Sequence, residues 1–336
     1  MRKKLPLGEP PVKCFLYDAY PLSILSVKED YKPWFYCNYI QLCCNNKIYN
    51  DGTPFLEFFK PNQEFQIPFL RTQCLDWGSF VKNPINGIDY IISAINDGYY
   101  FYSFADEYYM PDRSMYRKHH FIHDIFVFGY DDEKKEFQIL GYDDKEQFAT
   151  SLISYRAFQD AFLSKADDLR QLWNDRIFLF QYNPEAKYYF DIQVVIELIS
   201  EYLDSGNSDM RYRSFHNPTN KFVFGIKIYD SLIEYYQLLS AEQVKYDARI
   251  PFLLWEHKKC MRDRINYLIE IEKYQNLDNC LKAYKKIEND AKTLLSIMLV
   301  YKYKKNSSYL TKIISILRQI RAEEVVILKK LLSKLS

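Results

Sequence analysis

Glycine is scarce in this chain, nine residues in 336, and the sequence carries neither a G-x-x-x-x-G-K-[ST] loop nor a Cys-x-x-Cys pair. Without the first, the usual backbone cradle for a nucleoside triphosphate is missing. Without the second, the seven cysteines (Cys14, Cys37, Cys43, Cys44, Cys74, Cys260, Cys280), odd in number and irregularly spaced, argue against a disulfide framework or a structural zinc site and for reduced thiols. There is no surplus of one charge either: 45 Lys and Arg stand against 44 Asp and Glu, a formal net charge of +1, so no global field draws nucleic acid. Apolar runs are short; LLSIMLV from Leu294 falls well below the roughly 20 residues that cross a bilayer. The start, MRKKLPLGEPP, is basic but runs into prolines without an apolar core, so no secretory leader is expected. These absences predict a cytoplasmic protein without nucleic acid or membrane among its partners.

Aromatic residues are abundant, 31 Tyr and 24 Phe, and such side chains supply apolar area with polar tips, suited to a core and to a cleft for an organic substrate. A chain of 336 residues exceeds the roughly 250 to 300 at which single cores stop growing, so two units are expected. The change of character near residue 150 suggests 1–150 and 151–336. In the first half, CFLYDAYPLSILSV (14–27) predicts a helix opening at Cys14 and kinked or stopped at Pro21, because proline lacks the amide of an interior turn. Residues 45–54 carry turn signals, and residues 87–104 predict a helix ending near Gly98 and then a strand. FIHDIFVFGYDDEKKEFQILGYDD (121–144) predicts a hairpin whose first strand is apolar on both faces and therefore central, with His123 at its start. Ile125, Val127 and Gly129 share one face of it, and Phe126, Phe128 and Tyr130 the other.

In the second half, SYRAFQDAFLSKADDLRQLW (154–173) is amphipathic, IFLFQY (177–182) predicts a strand, and DIQVVIELISEYL (191–203) a helix. From about residue 219 nearly everything is expected to be helical, FVFGIKIYDSLIEYYQLL included. Residues 257–336 hold 18 Lys and Arg against 8 Asp and Glu. That basic quarter is either a solvated lysine face or a surface that steers an acidic partner, an effect that salt weakens.

A cysteine is a nucleophile only as thiolate, and a helix N-terminus favours that form. Cys14 follows the non-helical GEPPVK and precedes an apolar run, so it is the preferred nucleophile, with Cys37 as the alternative. Three histidines cluster in RKHHFIHD. His123 is preferred as base because it begins the buried strand, whereas His119 and His120 adjoin Arg117 and Lys118 and read as solvated. Asp143, or Asp144 after a one-residue register shift, is the expected partner that orients the ring.

The His123 strand into Gly129-Tyr130-Asp131, the return strand ending at Asp143, and the early Cys14 together resemble the papain-like, C39-type cysteine enzymes. More narrowly the layout is similar to the butirosin biosynthesis protein H family, with RAFQDAF and FGIKIYDSLIEYY (224–236) matching its second half, and to the peptide-bond-forming enzyme of closthioamide assembly. The resemblance implies an α+β class: a papain-like domain followed by a mostly helical one. It implies acyl transfer from the phosphopantetheine thioester of an acyl or peptidyl carrier protein, through an S-acyl enzyme, to a small-molecule amine, with Cys14, His123 and Asp143 as catalytic residues. No metal and no cofactor beyond the carrier's own phosphopantetheine is implied. The chain departs from the pattern in lacking a glutamine shortly before the cysteine; the backbone amide of Cys14 together with a side chain such as Gln41 or Asn38 would have to serve instead, and the oxyanion hole stays unassigned. A cysteine peptidase or thioesterase and a non-catalytic helical binding protein stay open as alternatives, and a homodimer is allowed.

Overall fold

The computed structural model describes residues 1–46, 55–60, 65–82, 87–164, 166, 169, 171, 173–270, 274 and 276–335; most of the turn expected at 45–54 lies outside them. Along the chain the strands are β1 (Arg2–Lys4), β2 (Leu42–Asn45), β3 (Glu57–Phe58), β4 (Leu70–Asp76), β5 (Tyr100–Asp106), β6 (Ile122–Asp131), β7 (Glu136–Tyr142), β8 (Phe148–Ser154), β9 (Arg176–Tyr182) and β10 (Phe222–Phe224). The α-helices are α1 (Leu16–Leu25), α2 (Lys32–Asn38), α3 (Trp77–Lys82), α4 (Gly87–Asn96), α5 (Tyr155–Phe162), α6 (Ile192–Asp204), α7 (Ile228–Ser240), α8 (Arg249–Glu270), α9 (Asp278–Lys304) and α10 (Ser307–Leu335). The protein is α+β, with antiparallel sheets and many helices. None of the described helices is long and apolar enough to cross a membrane.

Two compact units divide the chain: Met1–Tyr31 with Gln63–Tyr188, and Lys32–Asn62 with Tyr189–Ser336. The boundary expected at 150 is corrected, because Thr150 pairs with Leu140 in the middle of β8 and a hydrogen-bonded strand cannot be shared out between separate cores. The second unit also takes residues from early in the chain, since β10 pairs with β2.

In the first unit a seven-stranded antiparallel sheet runs β4-β9-β5-β6-β7-β8, with β1 joined to β6. The β6–β7 hairpin is central, as its two apolar faces predict. Tyr20 of α1 stacks on Phe126 at 4.7 Å and donates its hydroxyl to the Leu140 carbonyl at 3.1 Å. Helix α1 starts at Leu16, two residues after Cys14, and continues through Pro21. Nearly every residue of it is buried, and that packing outweighs the missing amide hydrogen bond. The opposite side of the sheet is covered by α5, whose Phe158 packs on Phe101 and Phe137. A register shift between Val127 and Gly129 breaks the expected alternation. Val127 pairs with Phe101 and Tyr130 with Phe137, so Tyr130 ends on the Val127 side, not with Phe126, as an inserted residue in one strand requires.

The second unit holds the small sheet β10-β2-β3 and the long helices. The FVF of 222–224 is a strand and not helix: Gly225, at φ +58°, separates it from α7, and a Cβ there would sit 2.2 Å from the Tyr202 carbonyl. Helix α10 buries Leu310, Ile313, Leu317, Ile320, Leu328 and Leu331 at helical spacing. One acid, Glu324, interrupts that stripe. It is fully buried against Lys258 of α8, 2.7 Å away, and accepts hydrogen bonds from the hydroxyls of Tyr202, Tyr229 and Tyr284.

Candidate functional site

The site grows out of the end of the sheet where β5 finishes and β6 begins. Strand β5 pairs Ala105 with His123 and Asp106 with Ile122, so Asp106, the last residue of β5, comes level with the first residues of β6, of which His123 is the second. Beyond Asp106 the chain makes one 3₁₀ turn, Glu107–Tyr109, capped by the Asp106 carboxylate on the Tyr108 amide at 3.1 Å. This turn directs Glu107 back to the His123 ring. Its Oε1 lies 3.0 Å from Nδ1, and Glu107 is buried while the His123 side chain is 34% exposed. Nδ1–H donates to Glu107, leaving Nε2 as the atom that exchanges protons; Asp124 Oδ2 stands 3.7 Å from Nε2. Burial works to lower the His123 pKa, but the Glu107 hydrogen bond and the Asp124 and Glu107 charges outweigh it despite opposition from Arg113, so the ring is more basic than an ordinary histidine.

A second histidine is held the same way. His120 Nδ1 is 2.6 Å from Asp106 Oδ2, which also accepts from Ser164 Oγ at 2.7 Å, while Oδ1 takes the Phe121 and Tyr108 amides. Asp106 is fully buried. Burial alone would raise its pKa, but the bonds from Ser164, His120 and the two amides prevail and hold it below the usual carboxylate range.

A polar cluster draws residues from α1, β5, β6 and β7 and from the segment before β6. Tyr102 donates to Asp124 at 2.5 Å. Burial first and Asp124 second raise both Tyr102 and Tyr20, keeping these hydroxyls protonated. The buried Arg113 donates from Nη1 to the Tyr142 carbonyl. Gly141, at φ +154°, leaves it room: a Cβ would meet Arg113 Nη2 at 2.9 Å and the Tyr20 hydroxyl at 3.1 Å. Tyr142 in turn donates its hydroxyl to the Lys13 carbonyl at 3.0 Å. The segment carrying Cys14 is thus fastened to the end of β7, the strand antiparallel to β6, at the end of the hairpin where β6 begins. Cys14 itself is 6% exposed.

Asp143 does not hold the His123 ring. Its Oδ1 accepts from the amides of Lys145 and Gln147 at 2.9 and 2.8 Å, closing the turn after β7, and Glu107 takes the role expected of it. Asp144 is exposed at the same turn. Gln41 and Asn38 belong to the second unit, where Gln41 donates to Ser208 and Asn38 to the Trp34 carbonyl, each at 2.7 Å. Cys37, the alternative nucleophile, is fully buried in that unit and exchanges contacts with the backbone of Asp191, the cap of α6. Burial pushes Cys44 up to about 11 and raises Cys43 and Cys260 as well, which makes these thiols poor nucleophiles.

Glu107, Asp106, Arg113 and the bond of His120 were not read from the sequence. The one available signal was an acid pair closing the apolar run YYFYSFAD-E. Among the described residues no group of three His, Cys, Asp or Glu is arranged to hold a metal. In comparisons with known proteins, no family model and no curated protein matches the chain.

Proposed function

We propose that the first unit is a papain-like cysteine acyltransferase in which Cys14 is the nucleophile, His123 its base and Glu107 the carboxylate that orients the ring. The observation that carries the reading is the imidazole fixed through Nδ1 by buried Glu107, at the end of the sheet to which Tyr142 fastens the Lys13–Cys14 segment. A basic histidine suits a thiolate–imidazolium pair. The Cys14 sulfur attacks the carbonyl carbon of a carrier-bound thioester; the carbon–sulfur bond to phosphopantetheine breaks, and the departing thiolate takes the His123 proton. An amine then attacks the S-acyl enzyme; the carbon–sulfur bond to Cys14 breaks, the amine proton passes to His123, and the amide departs to leave the thiolate–imidazolium pair restored. Thioester-to-amide exchange is downhill and calls for no nucleotide. The exposed Lys282, Lys285 and Lys292 of α9 and Lys312 and Arg318 of α10 suit an acidic carrier protein.

Intact-protein mass spectrometry tests the reading with an acyl-N-acetylcysteamine thioester in place of the carrier. The expected result is one acyl adduct, lost in Cys14→Ala and kept in Cys37→Ala, and discharged by a primary amine as the amide. Discharge by water alone makes the protein a thioesterase or peptidase. An absent adduct, or one indifferent to Cys14→Ala, overturns the assignment.

A further inference from the structure

The second unit places a lysine amine in a small cleft that the acyl-transfer mechanism leaves unused. Directly after β3, the Phe59 amide donates to the Gln41 carbonyl at 2.9 Å, and the Phe59 ring packs edge-on against Phe224 at 5.1 Å. These two contacts fix the backbone that carries Lys60. The cleft holds about 30 Å³, and Lys60 lines it together with Leu198 of α6 and with Ser208, Arg211 and Tyr212 of the 3₁₀ turn Ser208–Tyr212. At about 10–15 Å³ per water, that is room for a group of two or three heavy atoms.

Lys60 Nζ donates to the Tyr39 hydroxyl at 3.2 Å. Burial pushes its pKa down to about 7, so about half of the amine is uncharged at neutral pH. A desolvated lysine beside a cavity is a setting in which this side chain turns from a point charge into a nucleophile. The charges around the cleft decide what it can take. Arg211 donates to Glu201 at 2.6 Å and to Glu197 at 3.1 Å, and Ser208 donates to Glu201 at 2.7 Å. With the guanidinium already shared between two carboxylates, the cleft suits an uncharged group over an anionic one. The titratable groups around Lys60 are thus Tyr39 after α2, Arg211 and Tyr212 of the 3₁₀ turn, and Glu197 and Glu201 of α6 bound to Arg211.

We propose that Lys60 is an acylation site whose amine takes a short, uncharged acyl group from a thioester without the help of Cys14. The Nζ lone pair bonds to the carbonyl carbon and the carbon–sulfur bond breaks. The departing thiolate takes a proton from the nitrogen, which leaves an amide and a thiol. A lysine with a purely structural role would instead stay an ammonium on the Tyr39 ring, whose centroid is 4.7 Å from Nζ, and would react no faster than a solvent-exposed lysine.

The test uses full-length Cys14→Ala protein, so its outcome does not depend on the assignment of Cys14. The protein is incubated with acetyl-N-acetylcysteamine from pH 6 to 10, and acetylated positions are quantified by peptide mapping. At pH 7 the lowered pKa gives Lys60 about 1,000-fold more neutral amine than an ordinary lysine at about 10.4. The weaker nucleophilicity of a less basic atom cuts that advantage to about 10- to 100-fold. Lys60 is expected to acetylate ahead of the exposed Lys282 and Lys292 by that factor, with a rate that levels off above about pH 8 while theirs keeps rising. Leu198→Phe, which narrows the cleft, is expected to slow Lys60 and leave Lys282 unchanged in a protein with the parent's circular dichroism. A succinyl thioester is expected to label Lys60 more slowly than the acetyl one. Lys60 reacting no faster than Lys282, or climbing with it to pH 10, overturns the proposal, and so does an unchanged Lys60 rate in Leu198→Phe. Equal labelling by the succinyl thioester overturns the preference for an uncharged group.

Discussion

Replacing Glu107 with glutamine keeps the shape of the side chain and a neutral acceptor for His123 Nδ1, so what is removed is the charge. A hydrogen bond to a charged partner contributes about 1.5–3 kcal/mol. The carboxylate is buried but the ring is 34% exposed, and solvent screening puts the expected loss in the lower half, about 1.5–2 kcal/mol. At 1.36 kcal/mol per factor of ten, Glu107→Gln slows acylation of Cys14 by about 10- to 30-fold. The pH dependence has a definite sign. Glu107 is among the causes that raise His123 above its ordinary 6.5, so its removal makes the imidazolium less persistent and moves the alkaline limb of the acylation profile to lower pH. Stability follows the same linkage. A raised histidine pKa contributes fully below the unfolded value and fades as pH climbs through the folded one. Glu107→Gln therefore destabilises the protein more at pH 5.5 than at pH 9 in urea titrations. Stopped-flow acylation with a chromogenic thioester from pH 5 to 10 measures the rates. A loss below about threefold with an unmoved alkaline limb refutes the assignment of Glu107.

Asp143→Ala, by contrast, removes only the turn contacts to Lys145 and Gln147; acylation is expected to stay within about twofold and stability to fall by about 0.5–1 kcal/mol, both measurable in the same two assays. Iodoacetamide at pH 7 is expected to label Cys14 ahead of the exposed Cys74 and to spare Cys43, Cys44 and Cys260, whose thiols burial raises; peptide mapping locates the adduct. In the second unit, Glu324→Gln leaves the Lys258 ammonium buried without its counter-charge and is expected to cost about 3–5 kcal/mol, read as a lowered urea midpoint. Adding Lys258→Met recovers part of that loss, because the unpaired charge goes too.

Much of the fold was legible because periodicity is local. The β6–β7 hairpin, the end of α4 before Gly98, and the long helices each declare themselves within a dozen residues through spacing and punctuation. Pro21 misled because burial of α1 on nearly every residue is a tertiary fact. FVF at 222–224 misled because its partner, β2, lies about 180 residues upstream. The position of Tyr130 depended on a bulge that no run of apolar residues reveals.

Two local placements were legible in the sequence: His123 stands near the start of a central strand and Cys14 just before a helix. Which acid serves the histidine was not. Asp143 and Glu107 are equally plausible by residue type, and the outcome follows from the pairing of Ala105 with His123 and from the 3₁₀ turn after β5, which carries one carboxylate to the ring while the amides of a tight turn engage the other. Residue type determines what a side chain can do chemically. Partnership depends on angstroms set by strand register and turn geometry, and those are fixed only when distant segments pack.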